Sequence, residues 1–342
     1  MIGKGYHFVI WYNIVMANVH LYSLDGIQSI GKDFHMVTTN GDLHQPNSKV
    51  SLMLCSNLSS NIHKNLKAFC QNQTVISNVY FVNCILNVTN TDHDVTILGC
   101  MFSSTSIKGN GYKARKIKFK NTTWLKYDIY NIEKSALMFS NYHLVLFDTC
   151  LFKDIFNANK NKHLISVHNT LQINVHNSRF INISSLIIIQ QDCKHIVISN
   201  ISVRHIRIFH LKDELDAVFS IRESNKVVFQ YNKLEDISIS GFCILNVKTL
   251  VIFNNFFKNF EILGHQYSYQ GSTIKLNQLQ LGLYLNYLYI FINNRFTNCS
   301  NEGGGSALQV KIVNNIQKHG STNYAKFPVL NEGKLGFYVI HN

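Results

Sequence analysis

Acidic side chains that could cleave or bind a glycan are few in this sequence. Glycosidic hydrolysis needs two carboxyl groups at a defined separation, and Asp92 and Asp94 lie close together but stand in an Asn- and Thr-rich turn. Asp213, Glu214 and Asp216 form the only dense acidic group, which is either a calcium site or, as we favour, a solvated loop. With 19 acidic against 32 basic residues, we predict no catalytic residue.

Basic side chains give the chain a net charge of +13 but are mostly scattered singly. The densest run spans residues 113–120, and Ile117 and Phe119 in it have the spacing of inward strand positions. Alternation then points Lys116, Lys118 and Lys120 outward as a basic strip. This strip is either a solvated strand face or a contact for phosphate or an acidic glycan. Since no nucleic-acid motif accompanies it, no nucleic-acid partner is predicted.

Two tyrosines lie in the longest interval between repeated segments. Tyr267 and Tyr269 belong to an insertion at residues 264–271, and insertions in repeat proteins gather on one face and often form the contact surface. They are candidates for stacking on a sugar ring or a protein partner. The alternative is that the insertion packs on its own chain.

Cysteine and histidine spacing argues against a metal or cofactor. The eight cysteines contain no C-x-x-C and no paired Cys/His spacing, so a structural zinc site is not expected. The 16 histidines are dispersed, and the triple glycine at 303–305 does not open a helix as a phosphate loop does. We predict no cofactor and expect Cys100 and Cys150 to be buried apolar groups.

The elements that position these residues come from an eleven-residue pattern found nine times. Apolar residues occupy positions one, three and eight, and Asn or another small polar residue often occupies position ten. The copies begin at Thr74, Val95, Ile117, Val145, Ile173, Ile196, Val227, Leu250 and Tyr289. A repeat of this length indicates stacked supersecondary units.

Each copy has the spacing of two short strands joined by a turn. Two apolar residues two positions apart face the same side of a strand, and the prevailing Ile, Val, Phe, Tyr and Asn favour strands over helices. Stacked strands would align Phe152, Phe180, Phe257 and Phe296 in an internal ladder. Asn at position ten suits a corner, since Asn tolerates left-handed backbone angles and can bond the Asn of the next unit.

The chain at this point resembles the right-handed parallel β-helix proteins of the pectin-lyase-like fold over residues 74–310. The segment from Phe296 to Leu308 also resembles one unit of the polymorphic outer-membrane-protein type of repeat, with Ser306 interrupting its G-G-A-like element. The resemblance implies a polysaccharide lyase or hydrolase as one possibility. Of the polygalacturonase motifs the chain has Asn-Thr-Asp at 90–92, but no Asp-Asp pair, no Gly-His-Gly and no late Arg-Ile-Lys. The Arg-x-Pro-x-x-Arg motif of pectate lyases is absent as well.

The repeat also predicts how the chain is divided. Residues 1–20 are either a signal peptide or a first buried strand, and residues 21–73 are an irregular or weakly coiled section. The β-helix is expected over 74–315, with an incomplete rung or tail at 316–342. A rung left open there would expose a strand edge, so we expect the chain to be a fragment of a longer repeat protein or to join another chain.

These observations predict an all-β protein, a single-stranded right-handed parallel β-helix of about nine or more rungs. No apolar stretch is long enough for a transmembrane helix. The predicted function is a non-enzymatic, adhesin-like scaffold, secreted or on the cell surface, that binds glycans or proteins. The alternative is a polysaccharide lyase or glycoside hydrolase of the pectin-lyase-like fold.

Overall fold

A computed structural model describes residues 37–38, 51–54, 62–64, 66–69, 75–89, 93–111, 115–128, 136–156, 163–207, 217–262, 273–278, 288–301, 308–312 and 336–340. Every regular element in these residues is a β-strand. Tyr267 and Tyr269, the acidic group at 213–216 and the Asn-Thr-Asp segment at 90–92 lie outside the described residues. The predicted all-β class is confirmed.

In chain order the strands are β1 (Val37–Thr38), β2 (Ser51–Leu54), β3 (Ile62–Lys64), β4 (Leu66–Phe69), β5 (Val75–Ser77), β6 (Tyr80–Val82), β7 (Ile85–Thr89), β8 (Val95–Leu98), β9 (Met101–Ser103), β10 (Ser106–Asn110), β11 (Lys116–Lys120), β12 (Thr123–Asp128), β13 (Leu137–Ser140), β14 (Leu144–Asp148), β15 (Leu151–Phe156), β16 (His163–His168), β17 (Gln172–His176), β18 (Arg179–Ser184), β19 (Leu186–Gln191), β20 (His195–Ser199), β21 (Ser202–Ile206), β22 (Phe219–Gln230), β23 (Lys233–Ile237), β24 (Phe242–Phe253), β25 (Phe256–Ile262), β26 (Ile274–Gln278), β27 (Leu288–Ile292), β28 (Arg295–Asn301), β29 (Leu308–Ile312) and β30 (Gly336–Ile340).

The strands form two sheets whose pairings are almost all parallel. The smaller sheet has 10 strands, in the order β28-β25-β23-β21-β18-β15-β12-β9-β6-β3, and the larger has 20. Only β1 and β2 pair antiparallel in the described part of the chain; the other pairings there are parallel. Each parallel pair joins a strand to its counterpart in the next repeat, so the predicted repetition of strands is confirmed.

The larger sheet contains two series of strands that share two long members. The first series includes β8, β11, β14, β17 and β20, and the second includes β7, β10, β13, β16 and β19. Both series continue into β22 and β24, each 12 residues long. The first part of each long strand pairs in the second series and the last part pairs in the first series. The two series therefore form a single sheet.

The strands pair in the register that the repeat predicts: residues at the same repeat position are neighbours on adjacent strands. Position one forms a continuous row in the first series: Val95, Ile117, Val145, Ile173, Ile196, Val227, Leu250 and Tyr289. Position eight forms a row in the smaller sheet: Phe81, Phe102, Trp124, Phe152, Phe180, Val203, Leu234, Phe257 and Phe296. Because successive side chains point to opposite faces of a strand, all residues of one row point to the same face of their sheet.

Stacked rings fill the core along the row at position eight. Trp124 and Phe152 have ring centroids 4.4 Å apart, and Phe152 and Phe180 are 4.7 Å apart. Phe257 and Phe296 stack at 4.8 Å. Val203 and Leu234 occupy the row between these stacks, so the predicted phenylalanine ladder consists of two separate runs.

Corner residues adopt the left-handed conformation that was predicted for position ten. All nine residues at that position have positive φ: Asn83, Ser104, Lys126, Asp154, Asn182, His205, Asp236, Asn259 and Asn298. Asn259 Nδ2 donates to Asp236 Oδ1 at 2.7 Å, and Asn298 Nδ2 donates to Asn259 Oδ1 at 3.0 Å. The predicted bonding between corner residues of successive repeats is therefore present.

Two further sets of left-handed corners were not predicted. Position five has positive φ in every repeat, including Thr149 and Tyr231. A third set, Asn141, Asn169, Asp192, Glu223 and Asn246, follows strands of the second series or lies within a long strand. Asn141 Nδ2 donates to Asn110 Oδ1 at 2.7 Å, and Asn169 Nδ2 donates to Asn141 Oδ1 at 2.6 Å.

Polar side chains at position six are buried and bonded from repeat to repeat. Asn232, Asn255 and Asn294 are each 2% exposed. The Asn255 side chain accepts the Asn232 amide at 3.0 Å and donates to the Phe229 carbonyl at 3.1 Å. The Asn294 side chain accepts the Asn255 amide at 3.1 Å. This buried asparagine ladder satisfies backbone groups where the chain turns inside the core.

The cysteines at position six are buried free thiols, as predicted. Cys100 and Cys150 are unbonded to any other cysteine and lie in the core. Desolvation by burial raises the pKa of each thiol to about 12. A thiol with so high a pKa is a poor nucleophile and acts as a packing group.

Candidate functional site

The predicted lysine strip lies on β11, in the first series. Lys118 Nζ is 4.0 Å from Oδ2 of Asp94, and the Lys116 amide donates to Asp94 Oδ1 at 2.9 Å. The register neighbours of Lys120 are Leu98 and Asp148. The three lysines thus share one strand but are not continued by cations on the adjacent strands.

A second basic surface lies on the outer face of the smaller sheet. Because position eight points into the core, positions seven and nine point outward. Position seven gives the row Leu151, Arg179, Ser202, Lys233, Phe256 and Arg295, and position nine gives the row Lys153, Ile181, Arg204, Glu235, Lys258 and Thr297. Sequence reasoning did not predict this surface.

The cations of these two rows alternate from strand to strand. Strands β15, β18, β21, β23, β25 and β28 carry one cation each in these rows, in turn at position nine and position seven: Lys153, Arg179, Arg204, Lys233, Lys258 and Arg295. We call these six residues the basic zigzag. Glu235 is the single acidic residue in the two rows over these strands.

Contacts within the basic zigzag hold three of its cations in place. Glu235 accepts Arg204 Nε and Lys233 Nζ, each at 3.0 Å. The Phe256 ring lies under two cations, with Lys233 Nζ 5.8 Å and Arg295 Cζ 5.6 Å from its centroid. Cation–π attraction at such distances contributes about 0.5 to 1 kcal/mol at exposed sites. The ring therefore fixes the positions of the charges on either side of it.

Four of the six cations of the basic zigzag have no ion pair with any described residue: Lys153, Arg179, Lys258 and Arg295. Successive cations lie one strand apart, about 4.8 Å, and two residues to the side, about 6.6 Å, so about 8 Å separates their backbone positions, which is close to the screening length of about 8 Å at physiological ionic strength. The fields of neighbouring cations overlap and make this face attractive to an anion.

A cluster of chemistry-bearing residues lies at the carboxyl ends of β16 and β19 and within β22, in the second series. Ser166 Oγ is 2.7 Å from Nε2 of His168, so either group can donate, depending on the imidazole tautomer. In the same outward row, His168, Gln191 and Arg222 are register neighbours on β16, β19 and β22. Asp192 and Glu223 directly follow Gln191 and Arg222. His163, Ser166, His168, Asp192, Arg222 and Glu223 together form the acid–histidine cluster.

Charge and burial set the protonation of this cluster. A hydrogen bond and electrostatic repulsion from Asp192 raise the pKa of Glu223, so the two carboxyl groups share a proton more readily than separate ones. Burial lowers the pKa of His168, with Asp192 opposing the shift. A hydroxyl beside a neutral imidazole is the arrangement of an activated nucleophile, but Ser166 is only 5% exposed.

His163 is the buried imidazole of the cluster. Burial, followed by the charges of Arg222 and His168, lowers its pKa to about 4, and its Nε2 is buried without a hydrogen-bond partner. The imidazole is therefore neutral at neutral pH. Protonating it costs free energy only in the folded state, so folding stability depends on pH.

Acidification is expected to destabilise the protein through His163. Because the folded pKa of about 4 lies below the ordinary value of 6.5, this contribution is fully present above pH 6.5 and is lost as the pH falls toward 4. The loss amounts to roughly 3 kcal/mol. Urea unfolding of wild type and His163→Gln across this range measures it, with the exposed His195→Gln as control. An unfolding free energy whose pH slope is the same in wild type and His163→Gln would contradict the assignment.

The described residues contain no group of three or more His, Cys, Asp or Glu side chains placed to hold a metal ion. In the same part of the chain, no helix has the length and apolar character needed to cross a membrane. No protein-family model, no curated protein and no solved structure matches the chain.

Proposed function

We propose that the chain is a right-handed parallel β-helix that acts as a non-enzymatic scaffold, secreted or on the cell surface, and binds a glycan or protein partner through the basic zigzag. The observation that carries this proposal is the presence of one cation on each of six neighbouring strands. A partner with complementary charges would contact several strands at once. Tyr267 and Tyr269 remain predicted additional contacts.

Three features support the β-helix with about nine or more rungs. Each strand pairs in parallel with its counterpart in the next repeat, and left-handed corners recur at fixed positions of the repeat. Rows of core side chains continue through the copies. Crossovers between parallel strands of one sheet are right-handed in about 98% of cases, which favours the right-handed coil.

A scaffold role follows from how the charges are held. Parallel strands in register keep outward side chains at a constant spacing, so the cations are arranged before a ligand arrives. Preorganised charges lose less conformational freedom on binding than charges on a mobile loop. Such a surface binds an extended partner through many weak contacts.

Removing three cations of the basic zigzag that form no ion pair should weaken partner binding. In the triple variant Arg179→Gln, Lys258→Gln, Arg295→Gln, three exposed contacts of about 0.5 kcal/mol each are lost, so affinity should fall about tenfold. Binding to an array of neutral and acidic glycans and of extracellular proteins would be measured for wild type and variant. The matched control is Lys116→Gln, Lys118→Gln, Lys120→Gln, which removes the same charge from β11. Loss of binding in the control alone would place the site on β11, and equal binding by wild type and both variants would reject the basic zigzag as the site.

The acid–histidine cluster favours an alternative function. Carboxyl groups beside His168 and Arg222 on one outer face are the kind of group that a polysaccharide lyase or glycoside hydrolase uses. The glycans that bind would be incubated with the protein and assayed for new reducing ends. Release of reducing ends by wild type but not by Glu223→Gln would replace the scaffold proposal with this enzymatic one.

A further inference from the structure

The geometry points to a linear acidic polysaccharide as the ligand of the basic zigzag, lying across the strands with its acidic groups on alternating sides. This inference rests on the proposed binding function and adds the chemical class, direction and charge pattern of the ligand. The alternation of cations between positions seven and nine is the observation that carries it.

The dimensions of the basic zigzag fit an extended polymer. Successive cations advance by one strand, about 4.8 Å, and shift sideways by two residues, about 6.6 Å. The six strands therefore form a track about 24 Å long. A compact anion would occupy only one part of this track. A ribbon-like polymer with one acidic group on each unit, and successive units turned to opposite sides, presents the complementary pattern along the whole track.

The surroundings of the cations favour a sugar polymer over single-stranded nucleic acid. Sequence-tolerant binding of nucleic acid uses aromatic faces on which bases stack. Lys233 and Arg295 lie over the Phe256 ring, so this ring already contacts two cations of the basic zigzag. Ser202 lies between Arg179 and Lys233 in the row at position seven, and Thr297 follows Lys258 at the end of the row at position nine. Their hydroxyl groups can both donate to and accept from sugar hydroxyls.

Glu235 makes the pattern selective for alternating charge. It occupies position nine of β23, between Arg204 and Lys258 in the same row. A ligand with an acidic group on this side at every unit would bring one of them against the Glu235 carboxylate. In a ligand whose acidic groups alternate between the two sides, the unit that lies over β23 directs its charge toward Lys233 and away from Glu235. Repulsion of the wrong pattern is a common source of specificity.

The test uses oligosaccharides of β-1,4-linked uronic acid, from two to ten sugars, with one carboxylate on each sugar. Their affinity for the full chain would be measured by calorimetry at several salt concentrations. Affinity is expected to rise with length up to about six sugars, one for each cation-bearing strand, and then to level off. The slope of log affinity against log salt should fall by about one for Arg179→Gln and again for Arg295→Gln. It should stay unchanged for the control Lys116→Gln, Lys118→Gln, Lys120→Gln.

Comparison ligands separate failure of this inference from failure of the binding function. Equal affinity for neutral β-1,4-linked oligosaccharides, or affinity that does not depend on length, would overturn the linear acidic ligand while leaving a glycan-binding scaffold. Tighter binding of single-stranded DNA of equal charge would assign the track to nucleic acid and overturn the glycan. Glu235→Gln is expected to increase affinity most for polymers charged on both sides of every unit, and an unchanged preference would remove Glu235 from the selectivity argument. If no glycan and no protein on the array binds, the proposed function itself fails.

Discussion

Phe152→Ala is expected to lower the free energy of unfolding by about 3 to 5 kcal/mol. Phe152 has no exposed surface, and its ring stacks between Trp124 at 4.4 Å and Phe180 at 4.7 Å. Truncation removes these two stacks and the edge contact with the Phe147 ring at 6.0 Å. It leaves a cavity that the neighbouring strands can fill only partly, because their hydrogen bonds fix their spacing. Urea unfolding would measure the change.

The same strand supplies the control for this prediction. Phe156 is 46% exposed, so Phe156→Ala should change the free energy of unfolding by less than about 1 kcal/mol. Hydrogen exchange should show the largest loss of protection in β12, β15 and β18 of Phe152→Ala, since each repeat contacts only its neighbours. Uniform loss of protection from β6 to β28 would contradict a core built repeat by repeat.

Asn255→Leu is expected to cost about 2 to 6 kcal/mol of unfolding free energy, although the side chain is similar in size and more apolar. The substitution removes the side-chain oxygen that accepts from the buried Asn232 amide and the side-chain N–H group that donates to the Phe229 carbonyl. Each buried polar group left unsatisfied costs about 1 to 3 kcal/mol. Chemical denaturation of the variant measures the sum.

An exposed corner asparagine provides the comparison. Asn298 donates one hydrogen bond to Asn259 at 3.0 Å and has φ of 52°, a conformation that Gly adopts without strain. Asn298→Gly should therefore cost less than about 1 kcal/mol. If Asn255→Leu were as stable as wild type, burial of position six would be driven by apolar packing alone and not by bonding between repeats.

The register of the sheets could be predicted because it follows from residue spacing alone. Apolar side chains two apart share a strand face, and a fixed distance to position eight places the next strand in the same frame. The frame was informative even where residue type was not: Lys126 has a left-handed backbone although Lys does not favour one. Its position in the repeat predicted the corner that its chemistry did not.

The second series and its corners were not predicted, although part of the series keeps a constant spacing. One register row consists of Leu137, Ile165, Ile188, Phe219 and Phe242, and each of them stands eight residues before position one of the following copy. The interval is ten residues from Ile107 to Ile117 and 15 from Ile274 to Tyr289, so a frame counted forward from position one does not contain this series. The left-handed turn at position five was missed although seven of the nine residues there are Asn or Gly and only Thr149 and Tyr231 depart from this, because the repeat was defined by its apolar positions and by position ten. Only the register shows that each of these residues lies beside a left-handed residue of the next repeat.

The basic surface was missed because charge density was judged along the chain. Lys116 to Lys120 attract attention as near neighbours in sequence, whereas Arg179 and Lys233 are far apart in sequence and only two strands apart in the sheet. Aligning positions seven and nine of the nine copies would have shown the alternating cations. Ser166 and His168 belong to the second series, which the repeat frame did not include, so the cluster around them was not predicted.

The exclusive pairing of strands with their counterparts in other repeats constrains how the chain reaches its fold. Ile76 pairs with Ile97, and Phe257 pairs with Phe296, so no parallel hydrogen bond can form until a whole further repeat has been synthesised. Closing such loops is slow for the first pair. Once one pair exists, its open edge is a template on which the next repeat docks with its hydrogen-bonding groups already aligned. We therefore expect growth in the direction of synthesis, with a lag set by the first pairing and a rapid addition of each later repeat.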